Sequence, residues 1–344
     1  MIDLSVLDLA PIPEGADAAQ ALRHTLDLAR HADRLGYRRH WLAEHHNLDG
    51  LACSATAVLV GHVAAGTRRI RVGSGGVMLP NHAPLVVAEQ FGTLATLHPD
   101  RIDLGLGRAP GTDGPTMRAL RRAQVRGDER GVDAGAEEQF ARDVVELLGY
   151  LATPSLGAPP AAVRALPGQG TEVPVWLLGS SLTSARLAAH LGLPFAFASH
   201  FAPELLMHAL SIYRDTYRPS ARWPRPHAMV AVNVVAAATD AEAHWHFTSL
   251  QQRFLGMRRG QRGPLPRPVE NLAALASADE LAAVDRMLAV SAVGSPETVA
   301  VQLQHLIDAT GADELIASSA IHDHAARVAS LEILAEIGRR SRSA

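Results

Sequence analysis

Short apolar runs alternate with amphipathic helical stretches along most of this chain. Residues 4–9 form an apolar run. Leu22, Leu26 and Ala29 then recur at helical spacing, and Gly36 stands where a helix-ending glycine belongs. The same alternation returns after each short loop, as in parallel sheets whose strands are joined by helices. We expect eight strands, namely residues 4–9, a strand that ends at residue 43, and residues 70–73, 102–107, 173–179, 195–199, 227–236 and 315–318.

Eight strands with alternating helices predict an α/β fold of the (β/α)8 TIM-barrel type. The pattern is interrupted near residues 109–172, where Gly, Pro, Asp and Arg are frequent, and near residues 256–292, which begin with a Gly- and Arg-rich loop. A chain of 344 residues can build one large barrel. We therefore predict a single barrel domain over residues 1–344 with two insertions.

The composition narrows the classes of function. The formal net charge of -3 does not indicate a nucleic-acid or membrane partner. All 32 basic residues are arginines, which excludes Schiff-base chemistry and a P-loop lysine. Cys53 is the single cysteine, so an internal disulfide and a Cys-based metal cluster are excluded. Without an apolar membrane span or the features of a signal peptide, we expect a cytoplasmic protein.

The second strand ends at three ionisable side chains in a row, Glu44, His45 and His46. Burial of these groups is costly unless they open onto a polar site, and active sites of barrel enzymes lie at the carboxyl ends of the strands. A solvated strand end is the alternative interpretation. Adjacent histidines on an extended chain point apart and no cysteine can assist them, so we expect no metal site.

Two glycine-rich strand ends resemble known sequence motifs, but each lacks one of the glycines that the motif requires. Gly105 and Gly107 begin a G-x-G-x-x-G pattern, but Pro110 occupies the position of the third glycine, so we expect no dinucleotide site. The stretch that begins at Gly179 is not a nucleophile elbow, because Thr183 replaces the second glycine of G-x-S-x-G.

The end of the fifth strand is better interpreted as a phosphate site. Ser180, Ser181 and Ser184 place hydroxyls and free backbone N–H groups at the start of a helix, where the helix dipole favours an anion. Arg108, at the end of the fourth strand, would supply a charge-assisted partner. Simple capping of the helix by serine is the alternative.

Two further polar segments allow two interpretations each. Residues 322–324, His-Asp-His, follow the eighth strand and either line the same face of the barrel or cap a helix. The Arg-rich loop at residues 258–262 could bind RNA, but the net charge and the neighbouring helical stretches favour a mobile lid.

Taken together, these motifs resemble the bacterial luciferase-like monooxygenases over nearly the whole chain. Each motif alone is weak, and their order and spacing carry the resemblance. The segments that match are residues 41–46, 72–80, 107–108, 179–181 and 293–297.

The resemblance implies a (β/α)8 barrel that binds reduced FMN at the carboxyl ends of its strands. In the family the first histidine of the E-H-H motif lies in the flavin pocket, which assigns catalysis to His45 with Glu44 beside it. The third strand carries a non-proline cis peptide against the flavin ring, and this maps to Gly75–Gly76, preceded by Ser74. Glycines there would ease close approach of the cofactor.

The resemblance also implies a phosphate site, and this sequence departs from the family pattern at two positions. The phosphate-binding residues map to Arg108, Gly179, Ser180, Ser181 and Ser184. Ser180 stands where the family has a carboxylate. Gly107 stands where luciferases have a reactive cysteine, which argues against light emission.

The function that follows is oxygenation of a small organic substrate, such as an aldehyde or ketone, by reduced FMN and O₂. Alternatives are a deazaflavin-dependent hydride-transfer enzyme, a flavin-binding protein without catalysis, and a barrel hydrolase. Because no dinucleotide motif is present, we expect a separate NAD(P)H:flavin reductase to supply reduced FMN. The helices near residues 55–65 and 84–97 are rich in small residues, and related luciferases pair through this region, so we expect a homodimer.

Overall fold

Within the described residues, nine parallel strands form one sheet, and eight of them close into a barrel. This computed structural model describes residues 2–109, 111–120, 134–155 and 161–343. The strands are β1 (Asp3–Asp8), β2 (Arg39–Leu42), β3 (Arg71–Met78), β4 (Ile102–Gly107), β5 (Val175–Gly179), β6 (Phe195–Phe197), β7 (Ala228–Ala236), β8 (Ser291–Gly294) and β9 (Glu314–Ser318). The predicted (β/α)8 TIM-barrel fold is confirmed.

The barrel closes through pairs between consecutive strands from β1 to β7 and through the pairs of β9 with both β7 and β1. Strand β8 lies outside this ring. Strand β7 is nine residues long, and its first part pairs with β9 while residues 233–236 pair with β8. The four-residue β8 was not expected from the sequence, because its run is too short to separate from the helix that follows.

Helices cover the outside of the barrel. In the described part of the chain they are α1 (Ala18–Leu35), α2 (Thr56–Gly66), α3 (Pro84–Leu97), α4 (Gly114–Leu120), α5 (Ala134–Leu151), α6 (Leu182–Leu191), α7 (Leu206–Asp215), α8 (Asp240–Arg258), α9 (Ala278–Met287), α10 (Pro296–Thr310) and α11 (His324–Ser343). Gly36 ends α1 in the left-handed conformation, as predicted. None of the described helices is long and apolar enough to cross a membrane.

The amino end of the barrel interior is filled by a charged and aromatic layer. Arg39 donates to Asp103 at 2.7 Å and to Glu314 at 2.7 and 2.9 Å, and its guanidinium lies 4.6 Å from the centre of the Trp176 ring. Trp41 packs edge-on against Trp176. This layer closes the amino end of the barrel, so a ligand would have to enter from the carboxyl end.

The two segments predicted as insertions contribute further helices and one strand. The first contributes α4 and α5, and its residues 110, 121–133 and 156–160 lie outside the described residues. The second contributes a short 3-10 helix (Leu272–Ala274), α9 and β8.

Candidate active site

The loop after β2 is anchored by the buried carboxylate of Glu44. It accepts hydrogen bonds from the backbone N–H of Met78 at 3.0 Å, from His82 and His46 at 2.9 Å each, and from Asn81 at 3.3 Å. Burial alone would raise the pKa of Glu44, but these hydrogen bonds outweigh it and hold the pKa below its usual range. Glu44 therefore ties the loop after β2 to the end of β3, and its geometry is that of a positioning residue.

His45 occupies a different environment from its neighbour. Its side chain turns away from Glu44, and its Nδ1 lies 4.0 Å from Sγ of the buried Cys53. Burial, followed by the positive charge of Arg253, lowers the pKa of His45 to about 4. The imidazole is therefore neutral near pH 7 and can accept a proton there.

A second histidine at the barrel mouth, His200, was not predicted from the sequence. It follows β6, which lies opposite β2 in the eight-stranded ring. Burial and the neighbouring His45 lower its pKa to about 4, and its Nδ1 is buried without a hydrogen-bond partner among the described residues. The sequence could have indicated His200 as a candidate site residue, because it directly follows a predicted strand, as the Glu44–His46 triplet does.

The third strand has the backbone feature that the resemblance implied. The peptide bond between Gly75 and Gly76 is cis. A Cβ at Gly75 would meet Leu7 at 2.8 Å, and one at Gly76 would meet the carbonyl oxygen of Gly105 at 2.8 Å. The barrel itself therefore excludes side chains at these two positions, in addition to any need of a ligand.

The hydroxyl of Ser74 forms hydrogen bonds within the sheet. It donates to the carbonyl oxygen of Gly105 at 2.8 Å and accepts from the N–H of the same residue at 3.0 Å. Ser74 thereby supports the cis segment from behind, and its direct contact with a cofactor stays a prediction.

The end of β5 leads directly into the N-terminus of α6, where serine hydroxyls surround the start of the helix, as an anion site would require. Ser181 is the N-cap, and its hydroxyl oxygen accepts from the N–H of Ser184 at 3.3 Å and lies 3.1 Å from the hydroxyl of Ser184. Helix α6 begins at Leu182, earlier than predicted, because of this cap. A Cβ at Gly179 would meet Ser184 at 2.5 Å, so only glycine fits there. Ser180 is half-buried beside the cap.

The predicted phosphate-binding Arg108 already has a partner in this structure. Its guanidinium donates to the carboxylate of Glu137 on α5, and both side chains are partly exposed. An incoming phosphate would have to replace Glu137. The sequence offered no sign of this competition, since the two residues belong to different elements.

The Gly- and Arg-rich segment after α8 lies against the barrel mouth. Leu265 is fully buried, and it exchanges backbone hydrogen bonds with Ile12 and Glu14 in the loop after β1. Arg262 forms an ion pair with Asp113 at 3.6 Å. The predicted lid is thus docked in this structure, where it covers the loops after β1 and β2.

The segment at residues 322–324 divides between a helix cap and the barrel mouth. Asp323 accepts from the N–H of Ala326 at 2.8 Å, and His324 stacks on His24 and donates to Asp27 at 2.8 Å, on the outside of the barrel. His322 instead donates to the carbonyl oxygen of Glu14, in the loop after β1, at 3.2 Å. Across the described residues, no group of three or more His, Cys, Asp or Glu side chains could hold a metal ion.

Comparison with known proteins agrees with the fold and identifies the family. The family described as luciferase-like monooxygenase matches residues 2–314. The chain is 52% identical over 336 residues to a luciferase-like monooxygenase of Escherichia coli (strain K12), covering 98% of this chain and 97% of that one. It is 40% identical over 267 residues to the N-acetyl-S-alkylcysteine monooxygenase of Bacillus subtilis (strain 168), covering 76% of each chain.

Among solved structures, apo-MsnO8 superposes with a TM-score of 0.84 at 38% identity, covering 98% of this chain and 99% of that one. The oxygenating constituent of 3,6-diketocamphane monooxygenase from Pseudomonas putida, in complex with FMN, gives 0.70 at 18% identity over 97% of each chain. An F420-dependent secondary alcohol dehydrogenase gives 0.68 at 12% identity over 98% of each chain. These last two similarities show the fold alone.

Proposed function

The chain belongs to the luciferase-like monooxygenase family, and from that premise we propose that it uses reduced FMN and O₂ to oxygenate a small organic substrate. One observation carries the proposal. The loop that carries a buried, neutral His45 is tied to the strand that holds the cis Gly75–Gly76 peptide, because β2 and β3 are paired in parallel and Glu44 binds Met78 at the end of β3. The bound reduced flavin would supply the oxygen-activating chemistry.

The residues present fit an FMN with its phosphate at α6 and its ring near β3. The N-terminus of α6, with Ser181 and Ser184, offers hydroxyls and unbonded backbone N–H groups. Arg108 would add a charge-assisted hydrogen bond after release from Glu137. Gly75 and Gly76 expose backbone without side chains beside His45.

His45 is the residue that we assign to proton transfer. Its Nδ1 faces Cys53, which leaves Nε2 to accept or return a proton at the reacting atoms. Glu44 keeps the histidine loop in place, and the docked segment around Leu265 limits the access of water to the mouth.

The substrates to test come from the motif resemblance and from one relative. Aldehydes and ketones follow from the resemblance. The relative from Bacillus subtilis acts, by its name, on N-acetyl-S-alkylcysteines, which adds a thioether with a carboxylate. We propose the panel of decanal, cyclohexanone and N-acetyl-S-methylcysteine.

The test supplies photoreduced FMN and ¹⁸O₂ to the purified chain and follows the label into product. Substrate-dependent incorporation of one ¹⁸O atom is expected with FMN. NADH or NADPH should be oxidised negligibly until a flavin reductase is added, because the chain has no dinucleotide motif. Rapid, saturable NAD(P)H oxidation by this chain alone would contradict the need for a separate reductase.

Two outcomes would favour the alternatives. Hydride transfer from reduced F420 to a ketone, with no product from reduced FMN, would indicate a deazaflavin enzyme. Tight FMN binding with no substrate-dependent O₂ uptake across the panel would indicate a flavin-binding protein without catalysis.

A further inference from the structure

Helix α8 carries a polar stripe that faces inward over the barrel mouth. His246, Ser249 and Arg253 are spaced at i, i+3 and i+7, which places them within an arc of about 60° on the helix. The stripe lies beside the apolar residues Phe247 and Leu250, which pack into the core. Polar side chains on the buried face of a helix need partners in the protein or in a ligand.

The stripe lacks such partners among the described residues. Nδ1 of His246 and the hydroxyl of Ser249 are buried with no hydrogen bond, and Ser249 is completely inaccessible. Arg253 is half-buried, and its guanidinium has neither a carboxylate nor a hydrogen bond in the part of the chain that the structure describes. A guanidinium that is partly withdrawn from water and unpaired is available to an anionic ligand.

The buried arginines Arg39 and Arg327 are held by carboxylates. Arg39 binds Asp103 and Glu314, and Arg327 binds Asp8 at 2.8 Å. The half-buried Arg253 has no such partner among the described residues, and it lies near the site. Its charge acts on His45 and on the thiol of Cys53.

The position of Arg253 separates it from the proposed phosphate site. Arg253 approaches the loop after β2, whereas Arg108 and the N-terminus of α6 lie at the ends of β4 and β5. Three strand spacings, about 14 Å around the barrel, separate β2 from β5. The anion that complements Arg253 is therefore a different one from the flavin phosphate.

We propose that Arg253 binds a carboxylate on the substrate and so holds the substrate beside His45. The proposal rests on the proposed function and names its substrate class as organic acids rather than neutral aldehydes or ketones. A guanidinium presents two parallel N–H groups that match the two oxygens of a carboxylate.

The test compares hexanoate with hexanamide, which differ in charge and hardly in shape. Binding to the full-length protein at pH 7.5 is measured by calorimetry and by the ligand-induced rise in Tm, with and without oxidised FMN. Hexanoate is expected to bind at least about 10-fold more tightly than hexanamide. Equal affinities for the two probes would overturn the proposal.

Variants identify the residue responsible. Arg253→Met keeps the aliphatic stem and should abolish the preference for hexanoate, while Arg258→Met, on the exposed part of the same helix, should preserve it. Because no carboxylate or hydrogen bond holds Arg253 in the described structure, Arg253→Met should leave the Tm without ligand close to that of the wild type. Arg253→Lys keeps the charge without the planar fork and should retain only part of the preference.

Two results would contradict the assignment to substrate. One is a preference for hexanoate that survives in Arg253→Met. The other is an equal loss of FMN and hexanoate affinity in that variant, which would make Arg253 a flavin residue. Neither measurement needs reduced flavin or O₂, so failure of the proposed oxygenation and failure of this carboxylate site are distinguishable.

Discussion

Two adjacent histidines after β2 differ because one is bound to a carboxylate and the other is not. His46 donates to Glu44, and His45 faces Cys53 and Arg253 instead.

His45→Ala should reduce turnover by about 100-fold and leave FMN affinity within a few fold, because it removes a proton acceptor and no phosphate contact. His46→Ala should do less, since Glu44 keeps its other three donors. Steady-state kinetics with FMN titration checks both, and the reverse ranking would assign catalysis to His46.

A further histidine, His40, connects burial to the pH dependence of stability. It is completely buried, neither ring nitrogen has a hydrogen-bond partner among the residues that the structure describes, and burial lowers its pKa to about 4. Asp8 lies 3.8 Å away but is bound to Arg327, so no His40–Asp8 ion pair forms near neutral pH.

His40 should destabilise the fold as the pH falls. The unfolded chain takes up a proton near pH 6.5, and the folded chain takes it up only near pH 4, so the free energy of unfolding decreases between these values. Between pH 7.5 and 5 the contribution is about 2 kcal/mol. His40→Leu should lose that much less stability over this range in urea unfolding, and His190→Leu, at an exposed position, should behave as the wild type. An unchanged pH dependence in His40→Leu would show that His40 is protonated in the fold.

At the scale of elements, we propose that the ends of β4 and β5 form one anion site from two segments. Arg108 follows β4, and the cap of α6 follows β5, which is the neighbouring strand. Helix α5 adds Glu137, which binds Arg108 and would compete with a phosphate for it.

Arg108→Ala should therefore weaken FMN by about 10- to 150-fold, or 1.5–3 kcal/mol, and leave riboflavin nearly unaffected, because riboflavin has no phosphate. Glu137→Gln should leave FMN affinity unchanged or raise it, since it removes the competitor. Fluorescence titration of both flavins measures these effects. If Glu137→Gln instead weakens FMN as much as Arg108→Ala does, the ion pair is structural and the phosphate is held elsewhere.

At the scale of the whole molecule, the barrel depends on the charged layer at its amino end. Arg39 is bound to two carboxylates that are themselves inaccessible to solvent. Arg39→Met should lower the free energy of unfolding by about 3–5 kcal/mol, because it leaves Asp103 and Glu314 as buried charges with weaker compensation. Arg38→Met, next to it on the exposed side, should change stability by less than about 0.5 kcal/mol. Equal effects in urea unfolding would mean that Arg71 and His227 suffice for these carboxylates.

The predicted homodimer concerns the surface of α2 and α3. Val58 on α2 is 71% exposed and Leu97 on α3 is 66% exposed, which leaves apolar surface outside the core. Light scattering at micromolar protein should give a mass of about 73 kDa, twice the 36.5 kDa of the chain. Val58→Asp should weaken the dimer, and Val301→Asp, at an equally exposed position on α10, should not. A wild-type mass near that of one chain would contradict the prediction.

Local sequence patterns determined the barrel and the end of it at which the candidate site lies. Each strand is a short apolar run and each helix an amphipathic stretch, so the βα alternation could be recognised without knowledge of tertiary contacts. Gly36 acts within one turn of helix and was predicted for the same reason. The Glu44–His46 triplet and the serines at α6 could be placed at the mouth because parallel strands all end on one side.

Tertiary structure alone decided what those side chains do. The neutrality of His45 depends on burial and on Arg253, which is 208 positions away in the chain, and His200 reaches the same site from the opposite side of the ring. Arg108 meets Glu137 across two elements, and Arg253 looks like any arginine of an amphipathic helix until its lack of a carboxylate is seen. Desolvation and charge pairing depend on distances through space, and the periodicity of one segment carries no information about which distant segment packs against it.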